Sequence, residues 1–200
     1  MLNKKMTEEN RKILTMLYDI RKRHEDCMEN IQKIRDGASK MLMSKNRTVE
    51  IAGMFPVDQD VIKYLSSPYK GKLTNDSKRM DFKYFFDDKD RIILTERYTK
   101  GKLHEYYFYF YYDGYAEGIQ YRENFKELDT VYYFEWENSK IKRYLTFLGS
   151  SPEAGYSYYR DTYFNFFETG VELTQNTCSF FAWSKEVKND EPRRVIAPLL

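Results

Sequence analysis

The sequence YYFYFYYDG, residues 106–114, places seven aromatic side chains in a row and ends on an Asp-Gly pair. Aromatic residues favour β-strands and Asp-Gly favours a two-residue hairpin turn, so this stretch predicts a strand that leads directly into a hairpin. Because the side chains of a strand alternate between two faces, the tract divides into two sets. Tyr106, Phe108, Phe110 and Tyr112 share one face, and Tyr107, Tyr109 and Tyr111 share the other.

The face that carries Phe108 and Phe110 is the one we expect in the core. The opposite face carries only tyrosines, which combine an apolar ring with a polar hydroxyl group. Such a face suits either a second packing layer or a wet binding surface. We therefore predict Tyr107, Tyr109 and Tyr111 as partner-binding residues, unless the N-terminal helix covers them and makes them structural.

From Asp81 onward the hydrophobic pattern has a period of two, and short turn-forming segments separate the apolar runs. We predict strands near 81–87, 91–99, 103–112, 115–122, 130–137, 140–148, 156–167 and 177–184, with a weaker one near 171–175. Connections this short cannot hold crossover helices, so neighbouring strands should pair antiparallel. The predicted fold is α+β, with a long N-terminal helix and a strongly curved or barrel-like antiparallel meander of about eight strands.

The N-terminal segment predicts one helix over residues 8–45, with Thr7 as its N-cap. Its apolar positions recur in alternating steps of four and three, as in a coiled coil. The seam would consist of Ile13, Leu17, Ile20, Ile31 and Ile34, with His24 and Cys27 among them. Such a helix would be roughly 55 Å long. The sequence leaves three arrangements open: the helix pairs with its own copy in a homodimer, it packs on the sheet, or it breaks into two helices near Gly37.

The chain as a whole divides into four segments. Residues 1–48 form the helix, 49–80 a connecting segment with a short helix, 81–185 the antiparallel β domain, and 186–200 an irregular tail.

Composition excludes several classes of protein. The net charge of +2 argues against a nucleic-acid-binding protein that works by neutralising phosphates. The two cysteines, Cys27 and Cys178, provide no disulfide framework, and no apolar run approaches the length of a membrane span. We therefore predict a soluble cytoplasmic protein with no membrane partner.

Candidate chemistry is sparse. His24 and Cys27 lie one helical turn apart, but a zinc site would also need His104 and Cys178, so we predict neither a metal nor a cofactor. Glu135 and Glu137 share one face of a strand and flank Trp136. Paired carboxylates beside an aromatic platform are typical of glycosidases, although acids at this spacing are common on exposed strands. The nucleotide-binding, zinc-protease and serine-hydrolase signatures do not occur.

These observations favour a non-enzymatic protein-interaction module of a microbial cytosol, such as an immunity or antitoxin-like protein or a phage or mobile-element accessory protein. The partner would bind the tyrosine face and its acidic fringe, Glu135 and Glu137. A β-barrel that binds a small ligand is the first alternative, and a hydrolase that uses Glu135 and Glu137 is the second.

Overall fold

A computed structural model describes residues 7–45, 50–51, 55–56, 72–75, 80–122, 125–137, 140–149, 156–168, 170–181 and 186–198. The short helix predicted within residues 49–80 lies outside these ranges. The helices and strands are, in chain order, α1 Glu8–Arg23, α2 Ile31–Asp36, β1 Lys40–Ser44, β2 Glu50–Ile51, β3 Phe55–Pro56, β4 Phe82–Phe86, β5 Ile92–Thr99, β6 Lys102–Tyr111, β7 Tyr115–Arg122, β8 Phe125–Glu137, β9 Lys140–Gly149, β10 Tyr156–Phe166, β11 Gly170–Phe181, β12 Glu186–Asn189 and β13 Arg193–Pro198.

Eleven of the described strands form one large antiparallel sheet, as predicted, and β2 and β3 pair with each other in a separate two-stranded sheet. The order of the large sheet is β1-β4-β5-β6-β7-β8-β9-β10-β11-β12, and β13 pairs with β11 beside β12. From β4 to β11 each strand lies next to its neighbour in sequence, because the turns between them are short. Lys100 and Gly101, for example, both have positive φ angles, 53° and 77°, which suit the tight turn between β5 and β6.

The prediction of an irregular tail after residue 185 is wrong. Strands β12 and β13 both add to β11, and with them the described residues after 81 hold ten strands rather than about eight. Pro192 and Pro198 made this segment resemble a loop in sequence. Proline is tolerated at the edge of a sheet, where its missing N–H is not needed for pairing, and these two strands pair with β11 at one end of the sheet order.

The prediction of one continuous helix over residues 8–45 is also wrong. Thr7 caps α1 as predicted, since its hydroxyl oxygen accepts the N–H of Asn10 at 3.1 Å, but α1 ends at Arg23. In the turns that follow, backbone bonds span three residues instead of four, as from the His24 N–H to the Arg21 carbonyl at 3.3 Å and from the Glu29 N–H to the Asp26 carbonyl at 3.0 Å. Beyond α2, residues 40–44 pair with β4, because a strand at that position completes the edge of the sheet.

The predicted coiled-coil seam packs inside the molecule. Ile13, Leu17 and Ile20 are buried against the sheet, and Ile31 and Ile34 are partly buried against the same core. These side chains therefore follow the alternative prediction, in which the helical segment packs on its own sheet, and do not form an exposed seam for a second copy. Each fully buried aliphatic side chain contributes about 1.5–3 kcal/mol, so this face holds the helix firmly in place.

The helical segment runs across the strands rather than along them. Asn10 near its start contacts β10 and β11, Tyr18 packs edge-on against Phe147 of β9, and His24 stacks on Phe110 of β6. A helix of 16 residues is about 24 Å long. Five strand spacings of about 4.8 Å cover the same distance, which accounts for contacts from β6 to β11.

Each face of the sheet carries a core of buried side chains. The helices cover the helix-side core, which includes Tyr106 and Phe108, with Phe110 packed against it. The second core lies on the opposite face and includes Tyr107 and Tyr109, with Tyr111 packed against it. The alternation predicted for residues 106–111 is confirmed, and the helices cover the face that carries Phe108.

Candidate functional site

The three tyrosines predicted to bind a partner belong to the second core. Tyr107 and Tyr109 are only 2% and 3% exposed, and Tyr111 is half-buried. Their hydroxyl groups donate hydrogen bonds within the chain: Tyr109 to Thr95 Oγ1 at 2.9 Å, Tyr111 to the carbonyl of Ile92 at 2.9 Å, and Tyr107 to Glu105. The prediction that these three rings form an exposed binding surface is therefore wrong. They form a packing layer, which is the alternative that the sequence left open.

Tyr107 is the centre of a buried polar chain across four strands. Arg97 of β5 and the Tyr107 hydroxyl both donate to the Glu105 carboxylate of β6. Gln120 of β7 donates to the Tyr107 oxygen at 3.5 Å and accepts from the Tyr132 hydroxyl of β8 at 2.7 Å. Burial would raise the pKa of Glu105, but the donors Tyr107 and Arg97 outweigh it and lower that pKa. This chain of hydrogen bonds keeps Glu105 charged and fixes the register of the four strands.

A different set of tyrosines reaches the surface. Tyr112 is 40% exposed, and Tyr115 and Tyr133 are half-buried. The rings of Tyr112 and Tyr115 stack with centroids 4.6 Å apart, and the Tyr133 centroid lies 5.7 Å from that of Tyr115. Glu135 lies directly opposite Tyr115 on the neighbouring strand. We call Tyr112, Tyr115, Tyr133 and Glu135 the tyrosine shelf.

Local folding rules explain how the shelf is assembled. The Asp113-Gly114 turn, with Gly114 at a φ of 76°, brings Tyr112 and Tyr115 together, and the Tyr112 N–H donates to the Tyr115 carbonyl at 2.9 Å. Tyr133 and Glu135 lie two residues apart and so share one face of β8. We expected Tyr112 in the core, but α1 ends at Arg23 and does not extend over it.

The predicted acidic pair lies at the end of the shelf. The side chains of Glu135 and Glu137 are 33% and 66% exposed. Lys142 Nζ lies 3.8 Å from a carboxylate oxygen of Glu135 and 3.7 Å from one of Glu137. Trp136 packs against the second core, on the opposite face of the sheet. The structure therefore does not bring the carboxylates and this aromatic ring together as a sugar-binding platform.

A buried carboxylate borders the shelf on the side of α1. Glu117 Oε2 lies 2.7 Å from His24 Nε2, and the other oxygen accepts from the Arg23 guanidinium. The Tyr112 hydroxyl lies 3.4 Å from Glu117, and the His24 ring stacks on Phe110 at 3.6 Å. Burial would raise the pKa of Glu117, but hydrogen bonds from His24 and Arg23 lower it. The Glu117 side chain, itself almost fully buried, is thus kept ionised by two donors from the end of α1.

Beside Glu117 lies an open groove of about 440 Å³. It follows α1, and its lining includes Lys12, Met16, Asp19, Arg23 and Glu117. Sequence reasoning missed both Glu117 and this groove. The available signal was a single acid in the mostly apolar stretch 115–121, but its partners Arg23 and His24 are more than ninety residues away in sequence.

A second ion pair lies at the far side of the shelf. Arg143, opposite Glu135 in the sheet, donates to both oxygens of the buried Asp161 at 2.8 and 2.7 Å. Its guanidinium also lies 5.1 Å from the centroid of the Tyr163 ring. This bidentate pair is satisfied within the chain, so it frames the shelf rather than offering charge to a partner.

The residues considered for a metal site do not converge. Among the side chains that the structure describes, no three His, Cys, Asp or Glu residues are arranged to hold a metal ion. Cys27 and Cys178 are both buried. Burial, with a smaller contribution from Asp26, raises the pKa of Cys27 to about 12. That thiol is therefore poorly suited to act as a ligand or a nucleophile.

None of the helices in the described ranges is long and apolar enough to cross a membrane. Comparison with known protein families, with curated proteins and with solved structures gave no significant match.

Proposed function

We propose that this protein is a non-enzymatic interaction module that binds another protein through the tyrosine shelf. The observation that carries the proposal is the stack of Tyr112 on Tyr115, extended by Tyr133, on a part of the helix-side face that α1 leaves accessible. Tyrosine is enriched at protein interfaces because it combines a large apolar area with a hydroxyl group.

The shelf is also held rigidly before any partner arrives. Tyr112 and Tyr115 are fixed by a tight turn and by each other, and Tyr112 additionally contacts Glu117. Binding to a preorganised surface loses little side-chain entropy, which is a main cost of association. The neighbouring carboxylate of Glu117 is engaged by two cationic or hydrogen-bonding partners, and this favours a positioning role over proton transfer.

We further propose that the sheet is strongly curved. The burial of side chains on both of its faces supports this, since a curved sheet encloses one face by itself while helices cover the other.

We assign the protein to a microbial cytosol, in the class of immunity proteins or phage accessory proteins. The two buried thiols and the absence of a disulfide between them support a reducing compartment.

The test is affinity capture from a lysate of the source cells, with the wild-type chain and the double variant Tyr112→Ser/Tyr115→Ser as baits. The matched control is Tyr18→Ser, which removes a tyrosine of similar exposure (48%) from α1, outside the shelf. We expect a protein that the wild type and the control retain and that the shelf variant loses. Equal recovery by all three baits, with melting curves that show all are folded, would refute the proposal.

A further inference from the structure

We infer that the partner segment that docks on the tyrosine shelf is basic, with lysine or arginine side chains placed over the rings and paired with Glu135 and Glu137. This inference rests on the proposed function and names the chemistry of the partner.

The shelf is acidic although the chain as a whole is not. Four acids lie on it or border it, Asp113, Glu117, Glu135 and Glu137, against two cations on the same face, Arg23 and Lys142. Lys140 lies opposite Glu137, but its ammonium group is over the Phe166 ring of the second core, on the other face. Arg143 and Asp161 neutralise each other and do not change this balance. With histidine counted as neutral in both cases, the local charge is −2, whereas the whole chain carries +2. A segment of opposite charge is therefore attracted to this surface in particular.

Glu135 and Glu137 retain capacity to accept hydrogen bonds from a partner. Lys142 lies 3.8 and 3.7 Å from their carboxylate oxygens, which is beyond the usual range for a charge-assisted hydrogen bond. Exposed pairs of this kind contribute little, about 0–1 kcal/mol. An incoming cation can therefore replace Lys142 at small cost, in contrast to the close bidentate pair of Arg143 with Asp161.

The tyrosine rings supply the second half of the recognition. Cations lie over tyrosine rings repeatedly in this chain: Arg91 over Tyr111 at 4.6 Å, and Arg143 over Tyr163 at 5.1 Å. The same attraction is available to a partner's cation at the partly exposed rings of Tyr112, Tyr115 and Tyr133. Because Glu135 faces Tyr115 across the strand pair, one side chain can contact a ring and a carboxylate together.

Two fluorescein-labelled peptides test the inference by fluorescence anisotropy on the full chain: twelve residues of alternating lysine and glycine, and the same peptide with glutamate in place of lysine. We expect the basic peptide to bind and the acidic one not to bind. Glu135→Gln/Glu137→Gln should weaken binding about fivefold, Tyr115→Leu should weaken it by a similar factor, and Lys142→Ala should strengthen it about twofold.

The control is Glu168→Gln/Glu191→Gln, which removes two exposed acids outside the shelf. If this variant weakens binding as much as the shelf variant does, the attraction is unspecific and the inference is wrong. Preferential binding of the acidic peptide would also overturn it.

The same charge variant separates this inference from the proposed function. In the lysate capture, a partner that is lost with Tyr112→Ser/Tyr115→Ser but fully retained with Glu135→Gln/Glu137→Gln would refute the basic segment and leave the interaction module standing. A partner lost with both variants supports both statements. If the tyrosine variant still retains every protein that the wild type captures, the proposed function itself is refuted.

Discussion

His24 Nε2 lies 2.7 Å from Glu117 Oε2, and both side chains are buried where α1 ends against strand β7. With Arg23 on the other carboxylate oxygen, this contact fixes the point at which the helix stops covering the sheet. The shelf begins there, since Tyr112 contacts Glu117 and stacks on Tyr115. The contact thus connects the stability of the fold to the geometry of the proposed interface.

We predict that Glu117→Gln destabilises the protein by about 1–3 kcal/mol, because the substitution leaves two donors without a charged acceptor in a largely buried position. Urea unfolding followed by circular dichroism measures the change. Glu135→Gln, at a more exposed acid on the same face, should change the free energy of unfolding by less than about 0.5 kcal/mol. Equal effects of the two substitutions would contradict a structural role for the Glu117 contact.

Stability should fall in acid. The pKa values of Glu105 and Glu117 lie below the ordinary value of 4.5 in the folded chain, so each stabilises the fold fully above that value and loses its contribution as the pH falls through the lowered pKa. The melting temperature should therefore decline from about pH 5 downward. Glu105→Gln/Glu117→Gln should flatten this decline, and an unchanged slope in the variant would show that other groups dominate it.

Tyr107→Phe isolates the buried polar chain. It removes the hydroxyl that donates to Glu105 and accepts from Gln120 while it keeps the ring, so we expect a loss of about 1–3 kcal/mol. The matched change at the shelf, Tyr112→Phe, removes a hydroxyl that lies 3.4 Å from its acceptor on a half-exposed ring, and should have a much smaller effect. Denaturant titration of both variants decides the comparison.

Leu17→Ala should cost about 2–5 kcal/mol, since Leu17 is fully buried between α1 and the sheet. Because the seam packs within the chain, the melting temperature of the wild type should not depend on protein concentration through this face. A melting temperature that rises with concentration in the wild type and loses this dependence in Leu17→Ala would instead indicate a seam shared between copies.

The thiols provide a further check on the packing. Burial raises the pKa values of both Cys27 and Cys178, so neither should react readily with a thiol reagent at pH 8 while the chain is folded. Addition of denaturant should release two reactive thiols per chain. Rapid labelling of the native protein at Cys27 would contradict its buried position in the turns between α1 and α2, where it packs in the helix-side core.

The β part of the fold could be predicted from local patterns. The alternation of residues 106–112 and the Asp113-Gly114 turn predicted strand β6, its two faces and the hairpin that follows, because these features depend on the strand period and on turn chemistry alone. The same reasoning located strands β4 to β10 within a few residues, apart from the first part of β8. It failed for β1, whose residues continue a helical pattern and become a strand only by pairing with β4.

The candidate site was predicted only in part. Glu135 was identified from its position on the acidic face. Tyr107 and Tyr109 were predicted to bind a partner unless another layer covers them, and Tyr112 was predicted in the core. The strand period determined that the aromatic tract has two faces. It carries no information about which layer covers each face or where the helix ends. Those outcomes depend on contacts between distant residues, such as His24 with Glu117 and Asn10 with Tyr159, and so only the tertiary structure decided which tyrosines are buried and which remain accessible.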